Sequence, residues 1–222
     1  MTKPFVQTHH LASGLLVASA VFSLLAESLA TYAGQARTSD ARGLGRVRLG
    51  ARAVLETTTA RSGTGADDRG TKLVIVAGVF GGFALGWYAA QHVPSAALPG
   101  NGWIYVGAGV ATIWLGVSLR AWAVLTLGRY FRREVFVETG HQVIRSGPYR
   151  FVRHPAYLGN VLAALGVGIA LANWLSIVAL VVLPLLAHVP RILVEERALQ
   201  KQIGAPYEKF TKQTARLIPG LW

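Results

Sequence analysis

The sequence predicts an all-α, polytopic membrane protein: about five transmembrane helices with a C-terminal helical cap on the cytosolic side. Three observations carry that expectation. Of 222 residues, 52% are hydrophobic and only 14% charged, against about 25% charged in an ordinary soluble domain. The apolar residues fall in blocks near the ~20 residues that a membrane helix requires. The basic residues lie between the blocks, so a net charge of +12 sits where loops meet anionic headgroups. Membrane lipids are therefore the expected partners, and no nucleic acid is expected. The chain contains no cysteine, which excludes disulfides, thiolate metal sites and a cysteine nucleophile.

Five spans follow in order. The first, Leu11–Tyr32, runs too long for a signal-peptide core and has no small-residue cleavage site after it, so it is read as a true helix. The second, Leu73–Gln91, places Gly78, Gly82 and Gly86 on one face, where small residues let backbones approach closely. That face suits packing within the monomer or a homodimer seam. The third is Trp103–Leu127. The fourth, Tyr157–Ala172, is short. Only Asn173 separates it from the fifth, Trp174–Leu193, so the two form a tight helical hairpin. A charged helix then runs from about Leu193 to Gly204. Pro206 suits the first turn of a second tail helix, which Pro219 and Gly220 would end. Apolar residues interleave with the charges throughout, so this tail is expected to pack against the cytoplasmic face. One membrane domain, 1–222, is expected, with residues 1–100 as N-terminal spans and basic loop, and 101–222 as the functional core.

Orientation comes from the loops. Residues 35–72, 128–156 and the tail are rich in Arg and Lys, whereas residues 92–102 carry no charge. Five spans place the three basic segments on one side, the cytoplasm, with the N-terminus outside. Trp87, Trp103 and Trp174 then fall near the outer boundary. Within the 35–72 loop, "RTSDARGLGRVRLGARAVLETTTA" suits an amphipathic surface helix and "RSGTGADDRG" a flexible turn. The absence of an internal repeat argues against a secondary transporter. A composition rich in Ala, Gly, Arg and Val suggests a bacterial chain of the inner membrane.

The chemistry concentrates in "SGPYRFVRHPAYLGN", residues 146–160. Gly147-Pro148 forces a turn. Pro155 biases His154 away from helical geometry and suits the first turn of the fourth span. Free amides over Ala156–Gly159, beside Arg153 and His154, would make an anion site. Tyr149 and Tyr157 can stack or donate a hydrogen bond. The competing reading is a headgroup-binding loop with a stiff helix start. A second constellation is Arg191, Glu195 and Glu196. Arg191 and Glu195, four apart, can simply pair, or one carboxylate can accept from a ligand amine or hydroxyl.

The run "GHQVIRSGPYRFVRHPAYLGN", an apolar hairpin, "RILVEERALQKQIGAPYEKF" and "RLIPGLW" resemble the isoprenylcysteine carboxyl methyltransferase family, part of a wider group that includes phospholipid methyltransferases. The resemblance covers roughly residues 115–222. It rests on R-H-P-x-Y-x-G, a double glutamate and G-x-x-Y in this order. It implies S-adenosylmethionine as methyl donor, bound at the cytosolic face, and a lipophilic carboxylate acceptor entering from the bilayer. On the matching positions it implies His154, Pro155, Tyr157, Gly159, Glu195, Glu196 and Tyr207 as cofactor-binding residues. It implies Arg153 beside the acceptor carboxylate, with Arg216 as a second cation. Relatives often carry a basic residue nearer Tyr207, where this chain has Gln213; that departure leaves the acceptor atom open.

Other readings stand beside these. A nicotinamide-dependent, sterol-type membrane reductase and a non-enzymatic scaffold for anionic lipid are the alternatives. Arg120, two turns before the end of the third span, must face the bundle or reach the interface and is a candidate for lining the reactive site. Glu27 suits a pairing with a loop arginine. His188, between Pro184 and Pro190, suits a kink-filling polar role. His9 and His10 lack companion ligands, so no metal site is expected.

Overall fold

The computed structural model describes residues 10–15, 18–19, 70–128 and 143–222. Residues 10–15 and 18–19 are helical, which agrees with the start of the first expected span. Its remainder, with Glu27, His9 and most of the 35–72 loop, lies outside the described residues. From residue 70 onward the described elements are α1 (Thr71–His92), a 3₁₀ turn (Pro94–Ala96), α2 (Gly102–Leu127), a 3₁₀ turn (Gly147–Arg150), α3 (Pro155–Ala170), α4 (Trp174–Ile203) and α5 (Ala205–Thr211). Among the described residues, three stretches are long and apolar enough to cross a membrane: Leu73–His92, Gly102–Leu127 and Trp174–Ile203. The protein is thus an all-helical integral membrane protein.

Two boundaries differ from expectation. The fifth span and the charged tail helix are one continuous 30-residue helix, α4, with Pro184 and Pro190 inside it. The second tail helix, α5, has Pro206 in its first turn as expected but stops at Thr211, well short of Pro219. The reason is a competition for carbonyls. Arg153 donates to the carbonyls of Thr211 and Thr214, so these no longer serve a continuing helix.

Among the described residues the chain divides into two compact units. One contains 10–15, 18–19, 70–118 and 159–191; the other contains 119–128, 143–158 and 192–222.

In the first unit, glycines set the helix spacing. A Cβ on Gly82 would lie 3.0 Å from the Ala179 carbonyl oxygen, and one on Gly86 would lie 3.1 Å from the Leu180 side chain; Gly78 abuts Ala187 and Leu183. The face carrying Gly78, Gly82 and Gly86 is therefore already covered by α4 of the same chain. This corrects its reading as a homodimer surface. Ser176 Oγ donates to the Gly86 carbonyl across the same seam at 2.6 Å. A second close approach joins α2 to α3, where a Cβ on Gly109 would lie 2.5 Å from the Gly166 carbonyl oxygen.

Asn173 makes the hairpin between α3 and α4. It is buried, and its amide donates to the carbonyls of Ala89 (3.3 Å) and Val93 (3.2 Å) at the end of α1. Its Oδ1 accepts from the Ser176 amide at 3.2 Å, as an N-cap. One side chain thus satisfies two helix ends that lipid would leave bare. The chain turns there with Ala172 at φ 50.

Inside α4, each proline removes an N–H donor from the ladder. His188 is buried and its Nδ1 donates to the Pro184 carbonyl at 2.6 Å. With Nδ1 as donor, neutral Nε2 is an acceptor for the Asn160 amide, 3.4 Å away. The polar filling expected of His188 is therefore seen. Arg191 is buried and donates to Thr71 Oγ1 at 3.3 Å.

Candidate functional site

The second unit gathers the predicted chemistry. Gly147 opens the segment with φ 55, and a Cβ there would meet Thr126 Oγ1 at 2.8 Å. Both the left-handed backbone and the contact require glycine. The chain then makes the 3₁₀ turn through Arg150 and enters a short parallel pairing with the tail. Val152 bridges to Ala215. The Arg153 amide donates to the Ala215 carbonyl (2.9 Å), and the His154 amide donates to the Arg216 carbonyl (3.0 Å). Two segments some 60 residues apart thereby become one ribbon. Its side chains converge on the end of α4.

Glu196 stands at the focus. Oε1 accepts from Arg153 Nε at 2.7 Å and lies 3.3 Å from His154 Nε2, while Oε2 accepts from Arg216 Nε at 2.9 Å. Arg153 is almost enclosed, with its side chain 8% exposed, whereas that of Arg216 is 34% exposed. Arg216 also lies over the Trp222 ring, 5.3 Å from its centroid.

Glu195 faces a different partner. Tyr157 Oη donates to its Oε2 at 2.8 Å, and the Tyr157 ring stacks on His154 with centroids 5.6 Å apart. Arg191 donates to Thr71 Oγ1, and Glu195 accepts from Tyr157. Tyr207, on α5, is only 4% exposed, and its hydroxyl has no hydrogen-bond partner among the described residues. Burial pushes the Tyr207 phenol up from the usual tyrosine range, and the Glu196 and Glu195 charges push it the same way. Tyr149, a residue not assigned to the site from the motif, is likewise raised by burial and then by Glu195, with Arg120 opposing.

The remaining expected residues have more local roles. Pro155 is fully buried at the first position of α3. The amides of Tyr157 and Leu158 both donate to the His154 carbonyl, at 3.1 and 3.2 Å. The row of free amides expected at 156–159 is thus corrected: the carbonyl preceding Pro155 already takes two of them. Gly159 is a packing glycine, its carbonyl 2.5 Å from where a Cβ on Gly116 would sit. Arg120 Nη1 donates to the Ala156 carbonyl at 3.3 Å. Sequence reasoning missed Arg145, counted there only as loop charge. Its Nη1 donates to Gln213 Oε1 at 3.1 Å and its Nη2 to the Pro206 carbonyl at 3.4 Å. No motif signals that contact, because its members lie more than 60 residues apart. No cluster of metal-ligating side chains occurs among the described residues.

Among the described residues the arrangement contains a matched anion, Glu196, a carboxylate with one oxygen uncommitted, a buried phenol without a partner and a partly exposed guanidinium. Those groups can hold a zwitterionic, hydroxyl-bearing small molecule and a carboxylate beside it.

A solved structure, the eukaryotic intramembrane Ras methyltransferase ICMT, shares the fold with a TM-score of 0.51 at 22% identity, over 79% of this chain and 66% of that one. A probable protein-S-isoprenylcysteine O-methyltransferase of Oryza sativa subsp. indica is 32% identical over 119 residues, 53% of this chain and 62% of that protein. The match therefore spans less than two thirds of that relative's length. Protein-S-isoprenylcysteine O-methyltransferase B of Arabidopsis thaliana is 30% identical over 134 residues, 60% of this chain and 68% of that protein. Residues 109–201 match the isoprenylcysteine carboxyl methyltransferase (ICMT) family. With the R-H-P-x-Y segment and the double glutamate inside that match, the chain belongs to the isoprenylcysteine carboxyl methyltransferase family.

Proposed function

We propose that the protein is an S-adenosylmethionine-dependent membrane methyltransferase that O-methylates the carboxylate of a lipophilic, isoprenylcysteine-like acceptor. The observation that carries this reading is the convergence of Arg153, His154, Tyr157, Glu195, Glu196, Tyr207 and Arg216 in one compact unit of a family member. The names of the relatives, which specify O-methylation of an S-isoprenylcysteine, support the acceptor class.

The residues present fit such a methyl donor. Among the described residues Glu195 Oε1 is left for an ammonium, and the Tyr207 hydroxyl is buried with no partner. S-adenosylmethionine, when bound, supplies a methyl group activated on a sulfonium. His154, Tyr157 and Glu195 form the wall that holds and orients it. Glu196 braces that wall, since both its oxygens already meet cations. Of the two glutamates, Glu195 then takes the amine-binding role. Arg153, tied by Nε and Nη1 to Glu196 and two carbonyls, acts as the brace of the ribbon. Arg216, one third exposed, faces the acceptor carboxylate. That carboxylate is already ionised at neutral pH, so the chain need supply no general base. Its work is alignment for in-line displacement.

We further place the basic loops and the C-terminus in the cytoplasm, and the chain in a bacterial inner membrane. The loop charges and the composition support these readings. The test is paired. Calorimetry in detergent should show binding of S-adenosylmethionine and its demethylated product. Radiolabelled methyl should pass to a farnesylated cysteine carboxylate. Binding of a nicotinamide dinucleotide in place of either ligand overturns the proposal in favour of a reductase.

A further inference from the structure

We propose that Arg145 is a positioning residue that sets the cofactor end of the site by holding both ends of α5. The inference rests on the functional reading above and adds a residue to it.

The geometry is a three-point clasp. Nη2 of Arg145 donates to the carbonyl of Pro206, in the first turn of α5. Its guanidinium lies over the Phe210 ring, in the last turn, 5.6 Å from the centroid. Nη1 donates to Gln213 Oε1, just beyond the helix. Tyr207 is carried between these points, buried, with its phenol unpartnered. A seven-residue helix is far below the length at which helices hold themselves in water. Its orientation is therefore set by what grips it. Phe210 packs beside Tyr207, ring centroids 6.0 Å apart, so a shift at the clasp is passed directly to the phenol. The planar fork of arginine spans a carbonyl and an amide oxygen at once, which a lysine ammonium cannot do in the same geometry. Gln213 enters as an acceptor. A glutamate there keeps the acceptor and adds charge, whereas a lysine sets like charges against each other.

The prediction is a split in kinetics. Arg145→Ala should raise the KM for S-adenosylmethionine about three- to tenfold, the scale of losing an exposed cation–π contact and two hydrogen bonds, while kcat and the acceptor KM stay within about twofold. Gln213→Lys should reproduce the effect, and Gln213→Glu should keep the cofactor KM near that of the parent. Parent protein is first titrated with S-adenosylmethionine. If the parent does not bind it, the functional reading falls and this inference with it. If the parent binds and Arg145→Ala and Gln213→Lys both leave the cofactor KM unchanged, the inference alone is overturned. Equal losses in kcat and in both KM values would show general unfolding of the cap and also overturn it. Should Arg145→Ala fail to fold, the contrast between Gln213→Lys and Gln213→Glu decides the matter.

Discussion

Glu196 meets two guanidinium groups and the His154 ring with two oxygens, and its side chain is only 12% exposed. Removing one member of such a group leaves the others desolvated and uncompensated. Glu196→Ala is expected to destabilise the protein by about 3 kcal/mol, the low end for a buried pair because Arg216 reaches solvent. Chemical denaturation in detergent checks this. Unchanged stability with lost cofactor affinity would assign the amine-binding role to Glu196 instead. Glu195→Gln should do the opposite, weakening S-adenosylmethionine about 10- to 150-fold while leaving stability alone. Tyr207→Phe separates binding from folding more sharply. It deletes a buried hydroxyl that has no partner, so stability should hold or rise by about 1 kcal/mol as cofactor affinity falls. The raised Tyr207 phenol also has a sign. The folded state keeps its proton longer than the unfolded chain, so its contribution is complete below about pH 10 and is lost as pH climbs above that. The Phe variant should lack that alkaline component. The motif residues at this scale were legible because each type suits one partner chemistry. Arg145 and the carbonyl partners of Arg153 were not, since they depend on a tail that returns from some 60 residues away.

Among the elements, the hairpin at Asn173 was readable from one polar residue between two apolar runs. Its reach back to the end of α1 was not. Asn173→Ala removes two donated bonds and one cap. At about 0.6 kcal/mol for a typical hydrogen bond in a membrane protein, the expected loss is about 2 kcal/mol. Asn173→Ser should keep a cap and lose only the two bonds to α1; thermal unfolding of the two variants in detergent distinguishes them. The continuity of α4 through Pro184 and Pro190 ran against the usual effect of proline. Buried surroundings that supply other partners make such helices tolerable in membranes, and Pro184 has His188 on its carbonyl. The early stop of α5 was hidden for a related reason. A side chain from elsewhere, Arg153, takes the carbonyls of Thr211 and Thr214.

For the whole molecule, the absence of cysteine makes orientation simple to measure. Ser95→Cys, in the uncharged connection between α1 and α2, should react with an impermeant maleimide added to intact cells. Lys212→Cys, in the tail, should react only after lysis. Reversal of that pattern overturns the proposed topology. The all-α class and the second, third and fifth spans were legible from hydropathy alone, whereas the fourth is a helix shorter than a membrane crossing needs. The division into two compact units was not, because its boundaries fall inside α2, α3 and α4 where hydropathy is continuous. One helix length has a consequence for the acceptor. α3 has 16 residues, or about 24 Å at the usual rise, against a hydrocarbon core of about 30 Å. A helix that short draws its ends inward or thins the bilayer around it. Set across the bilayer, α3 falls roughly 6 Å short of that core, a shortfall shared between its two ends or taken up by thinner lipid and equal to the span of several methylenes. Each methylene kept in lipid spares about 0.8 kcal/mol of extraction. Under the proposed function, a prenylated acceptor would then present its carboxylate while its chain remains dissolved in the membrane. Turnover should therefore fall when the enzyme is reconstituted into bilayers of progressively longer acyl chains.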